Sequence, residues 1–432
     1  MLLAGILASG VPATRIIENG PVSNRIDVVY IAEGYTLAEL GDFAPTVAKA
    51  IQYKDTASIG QPYKRYRKFF NYYRIDLPSD ESGIDEPEKG VFRNTALDAT
   101  GSGNLGEINQ AKAKAAAIDG MQAIGINRVD WIYVVLNTPL YYNSGGEACA
   151  FSTPNYGEIA LHEGGHSFHD LADEYQGPGT YAGSEAREIN VSKDPAAGKW
   201  AHWIGYQQPW VGRIGAYEGA RYFEKGIFRP SLNSKMNLTG QSSPQGFNMP
   251  SIEKIIRDIY VLVRPLDDYP DNSEPVKDPE RLWVKTVDPE VLLVDWSVDG
   301  QVVARNGGES FSMARYPLVM GTHTVRAHVY DEVVIHARSD NAAPHPLDLV
   351  RTGLDMLQQD VEWTVDVTRP IAIRNAQARP RSAFALLEQL RGIDVLGRAR
   401  AKGFRRAASP PRGSRPIAVD DRSKPPAGHP GY

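Results

Sequence analysis

His162, Glu163 and His166 are the residues of this chain whose types and spacing could do chemistry. They open the run H-E-G-G-H-S-F-H-D-L-A-D-E-Y, residues 162–175. Residues four apart share a helix face, so the two imidazoles can grip one metal ion, with Glu163 beside them. Three of the nine histidines, His162, His166 and His169, fall in this run, with carboxylates at Glu163, Asp170, Asp173 and Glu174. Hydrolytic zinc sites keep three protein ligands and an open position for water, whose proton goes to a nearby carboxylate. The pattern therefore points to one Zn2+ per chain, held by His162 and His166, with Glu163 activating a zinc-bound water. An H-E-x-x-H arises by chance in roughly one chain in a hundred of this size, so the surroundings must decide. Ile159, Ala160 and Leu161 make an apolar lead-in suited to a buried helix. Gly164 and Gly165 fill the two free positions, although each costs on the order of 1 kcal/mol relative to Ala within a helix. Close approach of another backbone or of substrate is the expected compensation.

The third ligand has three candidates. Asp173 lies seven residues past His166, which on a straight helix is about 10 Å further along the axis. A zinc–ligand bond spans only about 2 Å, so the helix must end and the chain double back. Asp170 suits that reversal, because Asp tolerates the left-handed conformation better than most residues. Asp173 is the first choice. Glu174 would serve if the return loop rotated by one residue, and His169 if the helix ran on for another turn. The plainer reading of His169 is a partly buried, hydrogen-bonded histidine.

The elements that must position these residues are legible in outline. Residues 23–32 read as a buried strand, 37–53 as a helix, 73–77 as a strand, 111–118 as a helix and 131–136 as the most strand-like segment of the chain. Asn143, Ser144, Gly145 and Gly146 close that last segment as a flexible stretch. Ile252, Ile255, Ile256, Ile259 and Val263 recur at helical spacing, with Ser251 as the expected N-cap and Pro265 as the stop. Residues 265–279 are rich in Pro and Asp. Short alternating segments follow at 283–287, 293–298, 301–304, 323–329 and 361–365, and Asp299-Gly300 is a hairpin signal. These predict a β-sandwich.

With the motif and its flanks in place, the chain resembles the M64 family of bacterial metallopeptidases, named for an immunoglobulin A peptidase. The resemblance rests on H-E-G-G-H-S-F-x-x-L-A-D-E-Y, on residues 24–36 with Gly34-Tyr35-Thr36, and on residues 70–75, 81–85 and 228–236; it spans roughly 16–265. It implies a metzincin-like architecture: an α+β or α/β peptidase domain with a mixed sheet and an HExxH helix. In such a fold Met236 would be the turn methionine beneath the metal. Residues 131–136 with Gly145-Gly146 would be the edge strand that pairs with an extended protein or peptide substrate. Tyr175 would orient the metal shell or donate to an oxyanion, against a plain packing role. The family more often has small residues, including glycine, where His169 and Asp170 stand. No residue encodes immunoglobulin A as the substrate.

The expected organisation is an apolar leader or truncated signal at 1–14, the peptidase domain at 15–268, a linker at 269–280, an all-β immunoglobulin-like sandwich at 281–368 and a basic, mostly disordered tail at 369–432. The tail carries 14 basic and 4 acidic residues, which leaves 33 against 48 before it. So acidic a body argues against binding nucleic acid through its phosphates. No apolar run reaches the roughly 20 residues of a membrane span. The apolar N-terminus with Val11-Pro12-Ala13 lacks the basic start of a signal peptide, and export to the periplasm or medium is the expectation. Cys149 is the single cysteine. The leading reading is a metalloendopeptidase; the alternative is a non-catalytic binding or adhesion protein on a peptidase scaffold, meeting a cell surface through its sandwich or tail. Deleting residues 277–432 is expected to spare small-peptide hydrolysis in an enzyme.

Overall fold

In the computed structural model the described residues are 10–56, 62–237, 246–338 and 345–369. The expected basic tail after residue 369 and most of the expected leader lie outside them. The first part of the chain builds a mixed eight-stranded sheet from β1 (Thr14–Ile17), β2 (Ile26–Glu33), β3 (Phe70–Ile75), β4 (Thr100–Ser102), β5 (Leu105–Glu107), β6 (Trp131–Leu136), β7 (Asn143–Ser144) and β8 (Ala148–Ser152). The order across the sheet is β1-β3-β2-β6-β8-β7-β5-β4. β3, β2, β6 and β8 run parallel, while β1, β7 and β4 each pair antiparallel with a neighbour.

Every residue of β2 and β6 is buried, as expected of central parallel strands covered on both faces. Alternation sorts their side chains. Val28, Tyr30 and Ala32 join the core that contains Phe43 and Val47 of α1 (Leu40–Thr56), whereas Val29 and Ile31 face Ala113, Ala117 and Met121 of α2 (Gln110–Gln122). On the α1 side also lies α3 (Glu158–Ser167), which holds the histidine motif. α4 (Met249–Leu262) closes this part, burying Ile252, Ile255, Ile256 and Ile259 as their spacing predicts.

Two expectations are corrected. β6 is not an edge strand: β2 and β8 flank it, and its apolar residues are buried because both faces are covered. The outer strand at that end of the sheet is β4. The N-cap of α4 is Asn248, whose side chain accepts the N–H of Ser251. Ser251 lies inside the helix and donates its hydroxyl to Asn248 Oδ1 at 2.8 Å, so the capping oxygen belongs to the residue three positions earlier.

Two short hairpins intervene, β9 (Gln207–Gln208) with β10 (Gly212–Arg213) and β11 (Tyr217–Ala220) with β12 (Phe223–Arg229). The later strands are β13 (Leu266–Asp268), β14 (Val276–Lys277), β15 (Arg281–Trp283), β16 (Lys285–Thr286), β17 (Leu292–Val298), β18 (Gln301–Ala304), β19 (Ser310–Ser312), β20 (Gly321–Asp331) and β21 (Gln358–Val367). They form a five-stranded sheet ordered β14-β21-β20-β17-β18 and the pairs β13-β16 and β15-β19. Asp299-Gly300 makes the β17–β18 hairpin with both residues left-handed, φ 48° and 80°, the turn that dipeptide favours. Trp296 stacks between Phe311 and Trp363 at centroid distances of 5.3 and 6.0 Å. β14 falls within the 269–280 stretch and pairs with β21. The chain is therefore already part of a sheet there.

The β portion is packed into the first part as one compact unit, and a single cluster of buried apolar residues runs through both. Asp331, at the end of β20, is wholly buried. It accepts from Arg65, Tyr66 and Tyr260, each at 2.7 Å, and from the Val333 N–H at 3.0 Å. Elsewhere, Arg25 grips Asp267 through both oxygens at 2.6 and 2.7 Å, and Glu253 of α4 accepts the N–H groups of Arg351 and Thr352. Removing one partner from such a buried network strands the rest. Asp331→Ala is expected to cost about 3–5 kcal/mol, read as a fall in the urea midpoint of the whole chain through one transition. Truncation before β14 is expected to leave protein that does not fold cooperatively, in contrast to the outcome anticipated for an independent sandwich; a cooperative melt of the truncated chain would refute this.

Candidate metal centre

α3 begins after Gly157, and its buried residues include Ala160, Leu161, His162 and Glu163. Its approach to the sheet explains both glycines. A Cβ on Gly164 would lie 2.3 Å from Tyr133 Oη and 2.4 Å from Trp131 Cζ2, and one on Gly165 would lie 2.8 Å from Met236 Sδ. The compensation for the helix cost is therefore contact with aromatic side chains of β6 and with a methionine, not with backbone or substrate. Tyr133 also donates to the Ala160 carbonyl at 3.1 Å.

His162 donates Nδ1–H to the Lys235 carbonyl at 2.8 Å, and His166 donates Nδ1–H to the Leu171 carbonyl at 2.6 Å. A carbonyl can only accept, so each contact fixes the tautomer and leaves Nε2 with a lone pair. The two Nε2 atoms face each other at 3.1 Å. The helix ends at Ser167, and Asp170 takes the left-handed conformation, φ 52°. Its N–H reaches the His166 carbonyl, and that of Leu171 reaches Gly165. This reversal brings Asp173 Oδ1 to 3.2 Å from both Nε2 atoms. That oxygen is buried and makes no hydrogen bond.

Among the described residues, His162, His166 and Asp173 are the group whose ligand atoms converge, all within 4.8 Å. Two lone-pair nitrogens and a carboxylate oxygen pointed at one another call for positive charge. A proton can supply part of it. Burial disfavours the charged form of His166, but the Asp173 carboxylate outweighs this and pushes its pKa up to about 9. Burial likewise opposes ionisation of Asp173, and the two histidines more than reverse that, holding its carboxyl well below the usual range. A cation of zinc type suits the same set of donors.

The other candidates are accounted for. His169 is wholly buried, bonded to Asp258 at 2.9 Å through Nδ1, and packed among Trp131, Phe168 and Tyr63. Glu174 is buried and accepts from Asn190 at 2.9 Å, Ser234 at 2.6 Å and Asn248 at 2.8 Å. It ties the return segment to the loop before α4 and is no part of the convergent group. The Tyr175 ring stands 5.8 Å from that of His162. Met236 is buried beneath α3 at Gly165, and its carbonyl accepts the Glu174 N–H at 2.7 Å.

Three contributors were given no role at the site by the sequence. Asn143 donates to Glu163 Oε1 at 2.5 Å, and Gly145 sits above, where a Cβ would lie 3.7 Å from Oε2. Tyr222 donates its phenol to Asp173 Oδ2 at 2.8 Å. Lys235, buried, pairs with Glu158 in the first turn of α3, which also accepts from Tyr53. Burial pushes the lysine down and the glutamate up. The Gly145-Gly146 pair after Asn143 was the one available signal.

This is a helix-borne His-Glu-x-x-His arrangement of a peptidase type. Residues 14–212 match the family model of IgA Peptidase M64, which supports the family resemblance read from the sequence. None of the curated proteins compared matches it. Of the solved structures, fibronectin(III)-like modules of CbhA from Clostridium thermocellum are similar at 18% identity, over 25% of this chain and 100% of theirs, with a TM-score of 0.14.

The glycines make a sharp test. Gly164→Ala should destabilise by about 1–3 kcal/mol through overpacking, even though alanine is the better helix former. A chemical denaturation midpoint at or above wild type would contradict the packing described.

Proposed function

We propose that the chain is a zinc-dependent endopeptidase of metzincin-like design, with the β portion as an immunoglobulin-like sandwich. The observation that carries this reading is the convergence of His162 Nε2, His166 Nε2 and Asp173 Oδ1 one helical residue from Glu163. The donors fit the metal: two tautomer-locked imidazoles and a buried carboxylate oxygen with no other partner. Zinc held there would supply Lewis acidity, polarising the scissile carbonyl and acidifying water.

The protein's own part follows from its side chains. Glu163 takes a proton from the attacking water and returns it to the leaving amine, the role of a general base that then serves as acid. Asn143, on Oε1, keeps the carboxylate from rotating, so that Oε2 faces the side where Gly145 leaves room. An extended peptide would pass by Gly145 and Gly146, which follow β7, rather than along β7 itself, whose two sides are taken by β5 and β8. The lack of a side chain on Gly145 suits close approach of a substrate backbone.

Glu163→Ala should abolish cleavage of casein while metal content, measured by atomic absorption, stays near one zinc per chain. Asp173→Ala should lose both. Wild-type cleavage by Glu163→Ala, or an anomalous map at the zinc edge with no peak among the three ligand atoms, would overturn the reading.

A further inference from the structure

The β11–β12 hairpin turns on Arg221 and Tyr222, both left-handed, with φ of 50° and 65°. Turns of this hand are normally built from Asn and Gly, because a Cβ is strained there. Strain of this kind persists only where the surroundings hold it, and here they do. The Arg221 N–H donates to the Asp173 carbonyl at 3.0 Å, and the Tyr222 N–H to the Tyr175 carbonyl at 2.9 Å. The Arg221 guanidinium grips both oxygens of Glu188 at 3.0 and 2.9 Å. Gly177 lets the turn come close, since a Cβ there would lie 2.5 Å from the Tyr222 carbonyl oxygen.

What this docking delivers is one hydroxyl. Tyr222 donates to Asp173 Oδ2 at 2.8 Å, while Oδ1 of the same carboxylate faces the two histidines. Tyr222 remains 58% exposed, so core packing does not account for a strained aromatic residue at this tip. Groups that hold a ligand's far atom set its orientation and basicity, and losing one typically weakens metal binding 10–100-fold.

From this geometry we infer that Tyr222 is a positioning residue for the third ligand: it occupies Oδ2, so that Asp173 presents Oδ1 alone beside His162 and His166. The inference rests on the zinc reading above. The hairpin is thus part of the metal site, although it lies 49 residues from Asp173 along the chain.

Tyr222→Phe removes the oxygen and keeps the ring. Full-length wild type and variant, each reconstituted with zinc, are titrated with a chromogenic chelator, and metal-free samples of both are melted. The expected result is an unchanged melt without metal and a 10–100-fold weaker zinc affinity in Tyr222→Phe. Tyr222→Ala should weaken zinc to a similar degree, because the hydroxyl is what both variants lack. Wild-type affinity in Tyr222→Phe overturns the assignment alone. So does a loss confined to Tyr222→Ala, or a metal-free melt lowered in Tyr222→Phe, since each would mark the residue as structural. Wild type that takes up no zinc overturns the metal reading itself, and the assignment with it.

Discussion

The separation between α3 and β6 is the constraint on which the rest of the site depends. It is set by Gly164, whose missing Cβ leaves space filled by Tyr133 and Trp131 of the strand below. About 100° further round the same turn, Gly165 admits Met236. The helix is thus held between a sheet and a turn, with two glycines giving up helix propensity so that both can touch it. Interiors are packed densely enough that a helix so clamped has little freedom to shift. His162, Glu163 and His166 inherit that fixity without spending any flexibility of their own.

The clamp also carries the electrostatics. The turn that presents Met236 presents the Lys235 carbonyl to His162, and the helix reversal that follows His166 presents the Leu171 carbonyl to that residue. Neither contact is made by a side chain chosen for it; both are backbone groups placed by the fold. They turn two imidazoles into acceptors facing a common point, where Asp173 adds a third. Bringing lone pairs together in a buried place is unfavourable unless a cation answers them, so the fold itself creates the demand for charge. Glu174 shows the contrast. One residue further along, the same functional group is spent on Asn190, Ser234 and Asn248, and it anchors the loop that carries Asp173 back.

The juxtaposition of His162 and His166 was legible because a helix converts four-residue spacing directly into geometry. Asp173 was legible for a related reason: a residue tolerant of the left-handed conformation stood where the chain had to turn, and Asp170 has φ 52°. The central strand at 131–136 was clear from its apolar run, yet its place in the sheet was not. Edge and centre differ in what lies alongside, and a strand's own residues do not state its neighbours. Asn143 and Tyr222 escaped because each acts across the fold. Tyr222 in particular sits in a hairpin turn with neither Asn nor Gly at its tip, so the usual turn signal was missing.

The same limit explains the β portion. Its strands and the Asp299-Gly300 hairpin were readable from alternation and turn chemistry, which suggested a module on a linker. The side chains that weld it to the peptidase portion are scattered through the chain as ordinary polar residues: Arg65, Tyr66, Tyr260 and Asp331 become one network only when β20 meets α4 and the segment before β3. A carboxylate with no exposure needs such partners, because an unpaired buried charge costs several kcal/mol. Glu253 then reaches from α4 to Arg351 and Thr352, and Arg257 to Thr352, so the last helix of the peptidase portion is bonded to the β portion at several points. α4 in turn begins at Asn248, the residue that holds Glu174. A continuous series of packed and hydrogen-bonded groups therefore runs from the β portion through α4 to the loop that presents Asp173. On this structure the β portion belongs to the framework of the site, whatever else it contacts.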